Sequence, residues 1–371
     1  MRRIVALSLA IVVSCTLTQT STTPSPSAAL AKHYDVCVGQ EPSQWSSDFQ
    51  TRTELMPDGT YFGPNVVAAD GRAVYGLFNT VDVMGLGRVD MQTGALTRLV
   101  TLPPDAGGIS SMALDAPWLA WTQQNSNTDP GDWTVLARNL ETNETTAVAN
   151  SRQTDGSFLF GQFPLVSLRR TALAFALPTT KQGEVPQAAV HVFDLGAKRD
   201  KTIATGRVSS PVYAGSLLLW GRRDDAGKYS FEAAAADTLA TATVPSPLRD
   251  PGTIVYLAGS SRWFAWTTET LRTLNVWRIG APSTTDYSAD DMHLLQFLQL
   301  AGDFVLWYSG TTSTAMDLTT GNAFDAPGLA GNDAYVVKAE PVRQAQKGEI
   351  VASRLSEVAI ASAGGITACT R

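Results

Sequence analysis

One feature constrains the fold of this chain more than any other: a short apolar segment that recurs seven times along 371 residues. Each copy follows a turn residue or two, contains a few apolar residues and ends in a bulky side chain. A recurrence of this length is typical of a repeat architecture rather than of two unrelated domains. The bulky end residues, which we call the anchor residues, are spaced 46, 54, 45, 46, 41 and 30 residues apart: Tyr75, Trp121, Phe175, Trp220, Trp266, Trp307 and Val337.

Each repeat contains four short runs rich in Val, Leu, Tyr and Thr, separated by turns of Gly, Asp and Pro. In the first repeat the runs cover 64–69, 73–78, 87–91 and 95–102. These are strand signals, and a four-stranded antiparallel unit repeated seven times predicts an all-β, seven-bladed β-propeller, with six or eight blades as alternatives. Residues 49–56 resemble the outer strand of the first repeat but precede it. We therefore expect this N-terminal outer strand to complete the last blade and close the ring.

The third strands align on one position just before a turn, occupied by Asp90, Asn139, Asp194, Asp317 and Arg354. Together with the Asp/Thr-Gly turns and the aromatic end of strand two, this pattern resembles the TolB-like propeller family over residues 60–360. The family's SPDG signature occurs here in loosened forms such as AADG at 68–71. The resemblance implies six to eight blades around a central channel and says little about activity, because propellers serve many unrelated functions.

The N-terminus predicts export. Residues 1–14 contain Arg2, Arg3 and an apolar run too short to cross a bilayer, which is typical of a signal peptide. The string that ends at Cys15 resembles the lipobox of bacterial lipoproteins, in which the cysteine is lipidated; cleavage after Ala31 is the alternative. We expect 15–35 to be a Ser/Thr/Pro-rich tether and 36–371 a single propeller domain, anchored to the cell membrane on its extracytoplasmic side.

The net charge limits the partners that we expect, and the cysteine content predicts a disulfide. Loss of Arg2 and Arg3 changes the formal charge from −6 to −8, and no basic groove is evident, so nucleic acid is not an expected partner. The remaining cysteines, Cys37 and Cys369, predict a disulfide in an exported protein, with two unrelated buried thiols as the alternative. A bond between such distant residues would contribute at most on the order of 5 kcal/mol.

Aspartates mark the connections that lead from one blade to the next. In the family geometry these links lie on one face near the channel mouth, and only the link near Gly206 lacks an aspartate. An acidic rim could bind a cationic group or a divalent cation such as calcium, and no other cofactor is indicated. Alternatively, each aspartate builds its own turn. The aspartates are Asp58, Asp105, Asp155, Asp250, Asp290, Asp291 and Asp325.

His293 follows Asp290 and Asp291 and could face the channel, which is the minimum for acid–base or metal chemistry; a structural role is the alternative. The anchor residues could form a ligand cage, but one aromatic per blade favours packing between blades. Four further aromatics occur in two similar links and would act either as recognition groups or as plugs beneath the loops: Tyr61, Phe62, Phe158 and Phe160.

Three functions are compatible with this sequence. The first is a non-catalytic binding module, monomeric as a domain, that presents its loop-rich acidic face to a protein or envelope ligand. The second is a glycan-acting hydrolase or lyase using Asp290, Asp291 and another rim aspartate, which requires two carboxylates about 5–10 Å apart across the mouth. The third is a structural partner in an envelope complex, which predicts a large exposed apolar patch. No nucleophile elbow, HExxH, phosphate loop or CxxC motif occurs in the sequence.

Overall fold

The computed structural model of this chain describes residues 32–51, 53–56, 59–80, 82–129, 131–181, 184–290, 292–310, 312–343, 350–363 and 365–366. The predicted signal peptide and Cys15 lie outside this set, as do Asp58, Asp291 and Cys369. Within the described residues, the helices are too short or too polar to span a membrane.

Short strands dominate the structure, because the sequence alternates β-branched and aromatic runs with Gly, Asp and Pro turns. In chain order the strands are β1 (Lys32–Asp35), β2 (Cys37–Gly39), β3 (Thr53–Leu55), β4 (Tyr61–Val67), β5 (Ala73–Asn79), β6 (Met84–Asp90), β7 (Leu96–Thr101), β8 (Gly108–Asp115), β9 (Trp118–Gln124), β10 (Trp133–Asn139), β11 (Thr145–Asn150), β12 (Ser167–Arg169), β13 (Ala172–Pro178), β14 (Ala188–Asp194), β15 (Arg199–Gly206), β16 (Val212–Ala214), β17 (Leu217–Arg223), β18 (Tyr229–Ala235), β19 (Leu257–Gly259), β20 (Trp263–Thr267), β21 (Thr273–Arg278), β22 (Thr285–Ser288), β23 (Gln296–Ala301), β24 (Phe304–Tyr308), β25 (Ser313–Asp317), β26 (Asn322–Ala326), β27 (Leu329–Gly331), β28 (Tyr335–Arg343) and β29 (Ile350–Ala359). The helices are α1 (Ser43–Thr51), α2 (Ile360–Ala363) and a 3₁₀ turn at Ser246–Leu248.

These strands form seven sheets arranged as a propeller, as the sequence predicts, and within each blade neighbouring strands are antiparallel. Blades 1, 2 and 3 are β4–β7, β8–β11 and β12–β15; blades 5 and 6 are built on β19–β22 and β23–β26. Blade 4 consists of β16–β18 and lacks a regular outer strand. Blade 7 contains β27, β28 and β29, and its outer strand is β3, with Thr53 opposite Ser356. Closure by an N-terminal outer strand is therefore confirmed.

The hydrophobic core is divided into seven clusters, one in each space between neighbouring blades. One cluster contains Val337 and Leu355 of blade 7 together with Phe62 and Val74 of blade 1, which closes the ring. All seven anchor residues are buried, with at most 6% of their surface exposed. They pack between blades, and the ligand-cage alternative is wrong for them as a set.

Four of the five residues that align near the end of strand three stabilise turns. The side-chain oxygens of Asp90, Asn139, Asp194 and Asp317 each accept a hydrogen bond from the backbone N–H two residues ahead. This is the Asx turn that such residues favour. Arg354 is different because β29 continues to Ala359, and its partner strand β3 comes from the other end of the chain. No tight turn is needed there.

The N-terminal segment from residue 32 to 55, which we call the strap, follows the outer edge of the ring. The strand β1 pairs in parallel with β22 of blade 5, and β2 pairs in parallel with β26 of blade 6. Residues 32–35, assigned to the tether from their sequence, thus belong to the folded domain. The helix α1 includes residues 49–51, so the predicted outer strand 49–56 is shortened to Thr53–Leu55.

Two contacts fasten the strap. Trp45 of α1 is fully buried and packs edge-on against Phe304 and Phe324 of blade 6, with ring centroids 5.0 and 5.1 Å away. The Lys338 ammonium of blade 7 lies 2.9 Å from Glu41 and 2.9 Å from Glu340, and its side chain is only 7% exposed. The two carboxylates compensate a cation that would otherwise be costly to bury.

Candidate binding site at the channel mouth

The blade-to-blade links and the turns between strands two and three meet on one face of the ring, where they surround a central cavity of about 760 Å³. Residues at or near the start of the inner strand of every blade contribute to its wall, including Asn65, Ser110, Val166, Val212 and Leu257. We call this space the channel cavity. Its size lies within the range of small-molecule sites.

Aromatic side chains line the mouth of the channel cavity. Tyr256 and Phe297 contact each other with ring centroids 5.3 Å apart and an interplanar angle of 44°. Tyr61 and Tyr308 form a second neighbouring pair; burial, and to a lesser degree the Tyr308 phenol, raises the pKa of Tyr61. Burial also raises the pKa of Tyr256, so both hydroxyl groups remain protonated donors at neutral pH.

Phe297 has two unusual properties. About 49% of its surface is exposed, and its backbone φ is +50°, in the left-handed region that side-chain-bearing residues avoid. It lies in an irregularity of β23, where the register with β24 shifts between Gln296 and Gln299. Strained, exposed aromatics of this kind are concentrated at functional sites.

Polar groups between blades complete the wall. The Gln299 amide donates to the carbonyls of Asn65 and Gly331 at 3.2 and 2.9 Å, which ties blades 6, 7 and 1 together at the cavity. The Oδ1 atom of Asn65 is buried and accepts no hydrogen bond from any described residue. Arg343 is the one charged side chain among the described lining residues. The channel cavity is therefore aromatic and polar rather than acidic.

The described rim aspartates do not line the channel cavity. Asp155 accepts hydrogen bonds from the N–H and hydroxyl of Ser157 at 3.0 and 2.5 Å, and Asp290 accepts from the N–H groups of Met292 and His293 at 3.0 and 3.1 Å. Asp250 lies 3.5 Å from Lys228. The Asp105 side chain is exposed, and its carbonyl accepts from Asn127 N–H at 2.6 Å. The described rim aspartates therefore do not converge on the channel cavity, because these carboxylates bond within their own turns, pair with neighbouring side chains or face solvent.

His293 lies between two carboxylates at the junction of blades 5 and 6, rather than in the channel cavity. Its Nδ1 is 2.6 Å from Asp290 Oδ1, and its Nε2 is 3.1 Å from Asp325 Oδ2. Burial lowers the pKa of His293, but the hydrogen bonds and charges of the two aspartates outweigh burial and raise it. Both ring nitrogens face acceptors, which the doubly protonated imidazolium satisfies and a neutral tautomer does not.

The four aromatic residues that occur in the two similar links lie in different environments. Phe62 is fully buried between blades 7 and 1, whereas Tyr61 lines the channel cavity. Phe158 lies beneath the Arg152 guanidinium, 4.9 Å from ring centroid to Cζ. Phe160 is 46% exposed on its link, outside the channel cavity. The alternation of side chains along β4 explains why the adjacent Tyr61 and Phe62 point to different environments.

The aromatics Tyr256, Phe297 and Tyr308 were not among the residues singled out in the sequence. Tyr308 directly follows the anchor residue Trp307, and Tyr256 and Phe297 occupy equivalent positions at the start of inner strands. That shared position was the signal that could have identified them. No group of three or more His, Cys, Asp and Glu side chains arranged to hold a metal ion is found in the described part of the chain.

No protein-family model matches this chain, and no curated protein sequence is similar to it. Solved structures are similar. An oligogalacturonate lyase in complex with manganese aligns with a TM-score of 0.51 and 11% identity, over 82% of this chain and 92% of the lyase. The β-propeller domain of the Trilobed protease from Pyrococcus furiosus aligns with a TM-score of 0.50 and 8% identity, over 81% of this chain and 97% of that domain. TolB from Acinetobacter baumannii aligns with a TM-score of 0.43 and 10% identity, over 83% and 64%. At such low identities, the similarity to the lyase and to the protease domain establishes the β-propeller fold.

Proposed function

We propose that this protein is an exported, lipid-anchored, non-catalytic binding module that takes a protein or envelope ligand at the mouth of its channel cavity. The observation that carries the proposal is the half-exposed, conformationally strained Phe297 beside Tyr256 at the mouth of a cavity of about 760 Å³. Large aromatics in a rigid frame dominate the binding energy of many interfaces.

The rigidity of the frame supports this function. Gln299 links three blades at the cavity wall, and each blade junction has its own hydrophobic cluster. A preformed site avoids the entropic cost of ordering its walls when the ligand binds. The proposal needs no catalytic step, because stacking and hydrogen bonding to the lining residues would hold the ligand.

Phe297→Ala and Phe160→Ala form a matched pair that tests the site. Both residues are exposed phenylalanines on the same face, 49% and 46% exposed, but only Phe297 lines the channel cavity. Purified exported protein would be immobilised and exposed to detergent-solubilised envelope extract, and retained components would be quantified by mass spectrometry and glycan analysis. We expect Phe297→Ala to lose at least about tenfold of the retained ligand, corresponding to about 1.4 kcal/mol, while Phe160→Ala retains it. Equal retention by both variants would refute the channel cavity as the site.

The membrane anchor is tested separately. In cells that process the signal peptide, Cys15→Ser should move the protein from the membrane fraction to the soluble extracytoplasmic fraction, because the lipid would be lost. A Cys37→Ser variant serves as the matched control and should remain in the membrane fraction. If the Cys15→Ser variant stays in the membrane fraction, neither lipidation at Cys15 nor release by cleavage after Ala31 accounts for the result. Another part of the chain must then attach the protein to the membrane.

A further inference from the structure

A second cavity of about 510 Å³ opens next to the channel cavity, between blades 3 and 4. The two cavities share three lining residues, Gln162, Ser210 and Val255, so they adjoin each other. Its wall contains the guanidinium groups of Arg207, Arg222 and Arg223, and none of its described lining residues is acidic. We call this space the arginine pocket.

Local pairing brings the three arginines together. The link that follows β15 runs beside the end of β17, where Val208 pairs with Arg222 and Arg223 N–H donates to the Arg207 carbonyl at 2.9 Å. This link contains an arginine and no carboxylate, whereas Asp325, assigned to a link from the sequence, lies in β26.

The three guanidinium groups are not equivalent. Arg222 is neutralised by Glu232, with its Nε and Nη2 atoms 2.5 and 3.0 Å from the two carboxylate oxygens. Arg207 donates to the carbonyl of Asp224 at 3.4 Å, and Arg223 lies over the Tyr229 ring, 5.4 Å from its centroid. The Asp224 carboxylate accepts from the Lys228 backbone at 2.8 Å. Among the described residues, no carboxylate lies within ion-pair distance of Arg207 or Arg223.

We propose that Arg207 and Arg223 form an oxyanion site, and that the ligand of the channel cavity is an acidic glycan whose charged group enters the arginine pocket. This inference builds on the proposed function. The guanidinium fork matches the geometry of carboxylate and phosphate groups, and an anion there relieves the repulsion between two neighbouring cations. The apolar C–H face of a sugar ring packs on the negative face of an aromatic ring, as Phe297 and Tyr256 would provide in the adjoining cavity.

Isothermal titration calorimetry of the exported protein with three probes tests this proposal. The probes are a hyaluronan tetrasaccharide, which carries carboxylates; chitotetraose, a neutral oligosaccharide; and inorganic phosphate. We expect the acidic tetrasaccharide or phosphate to bind, and the Arg207→Gln/Arg223→Gln double variant to bind about ten- to a hundredfold more weakly. Binding of the tetrasaccharide identifies a carboxylate ligand, and binding of phosphate alone identifies a phosphorylated one.

The control is Arg72→Gln/Arg199→Gln, which removes the same charge from exposed residues on the opposite face, one in a turn and one at the start of β15, and should bind as wild type does. Thermal unfolding establishes that all variants are folded. Equal binding by the arginine-pocket variant and wild type, or no binding of either anionic probe to wild type, would overturn the oxyanion site. Equal affinity for chitotetraose and the acidic tetrasaccharide would also overturn it while leaving the channel cavity as a site.

Phe297→Ala should weaken tetrasaccharide binding and spare phosphate binding, which distinguishes failure of the channel cavity from failure of the arginine pocket.

Discussion

Aspartate side chains in this propeller mostly bond to backbone N–H groups two or three residues ahead in the chain. Asp90, Asp194 and Asp290 each accept two such bonds. At Asp90 and Asp194 these bonds to the carboxylate are the main cause that lowers the pKa. The sequence could not reveal how many aspartates act in this way, because the same Asp-Gly pattern suits both a turn and a ligand site.

His293 makes a pH-dependent contribution to stability. Its raised pKa means that the folded state binds the proton more tightly than the unfolded state does. The stabilisation is therefore fully present below the ordinary value of about 6.5 and is lost as the pH rises through the higher folded value. We expect the difference in unfolding free energy between wild type and His293→Gln, measured by urea denaturation, to shrink from about pH 6 to about pH 9.

Nuclear magnetic resonance titration of the imidazole provides the control for this prediction. Asp325→Asn should lower the pKa of His293, because it removes a charge 3.1 Å from Nε2. Asp250→Asn, which removes an exposed charge on the same face, should leave it unchanged. A pKa of His293 at or below that of a free histidine in wild type would contradict the arrangement.

At position 297 we expect the glycine variant to be more stable than the alanine variant, which inverts the usual order. Glycine in a strand is normally less stable than alanine by about 0.5–1 kcal/mol. At φ +50° the order should reverse, and Phe297→Gly should unfold with a free energy about 1 kcal/mol higher than Phe297→Ala. At Phe160, where φ is not positive, the usual order should hold. Chemical denaturation of the four variants measures both differences, and an alanine variant that is the more stable at position 297 would rule out the strained backbone.

The strap is the element that the sequence pattern described least well. The strands β1 and β2 contain four and three residues, are mostly exposed, and pair in parallel with outer strands more than 240 residues away. No periodicity distinguishes such short strands from a tether, although Tyr34 stacks on Tyr287 and Val38 packs against the core between blades 5 and 6. The helix α1 resembles a strand in its apolar content, but Trp45 and Phe49 lie four residues apart on one helical face.

Trp45 should account for most of the attachment of the strap. Trp45→Ala is expected to cost about 3–5 kcal/mol of unfolding free energy, because it empties a fully buried site against blade 6. Tyr34→Ala also removes a strap aromatic, but Tyr34 is 37% exposed, so its loss should cost less than half as much. Urea denaturation compares the two. Similar effects at the two positions would mean that the strap is not held by the α1 contact.

At the scale of the whole molecule, the N-terminal strap and the last described residues meet at blades 6 and 7. Cys37 pairs with Asn322, and the Asn322 amide donates to the Ile366 carbonyl at 3.1 Å. The disulfide between Cys37 and Cys369 stays a prediction, because Cys369 lies outside the described residues.

The disulfide prediction is tested on the purified, unreduced protein. Non-reducing peptide mapping should recover a Cys37–Cys369 peptide, and Cys37→Ser should lower the unfolding free energy by at most about 5 kcal/mol. A reducing agent should lower wild-type stability to the level of the variant and leave the variant unchanged. Alkylation of both thiols in the native, unreduced protein would refute the bond.

The sequence by itself determined the blade count, the ring closure and the burial of the anchor residues. Those features follow from local strand and turn signals repeated at a regular spacing, and local signals are readable along the chain. Only the tertiary structure decided which side chains meet on one face: the Tyr256–Phe297 pair, the arginine pocket, and the placement of His293 between blades rather than in the channel. Residues from different blades are brought together there by ring geometry, and their convergence depends on side-chain direction and turn conformation that no single repeat encodes.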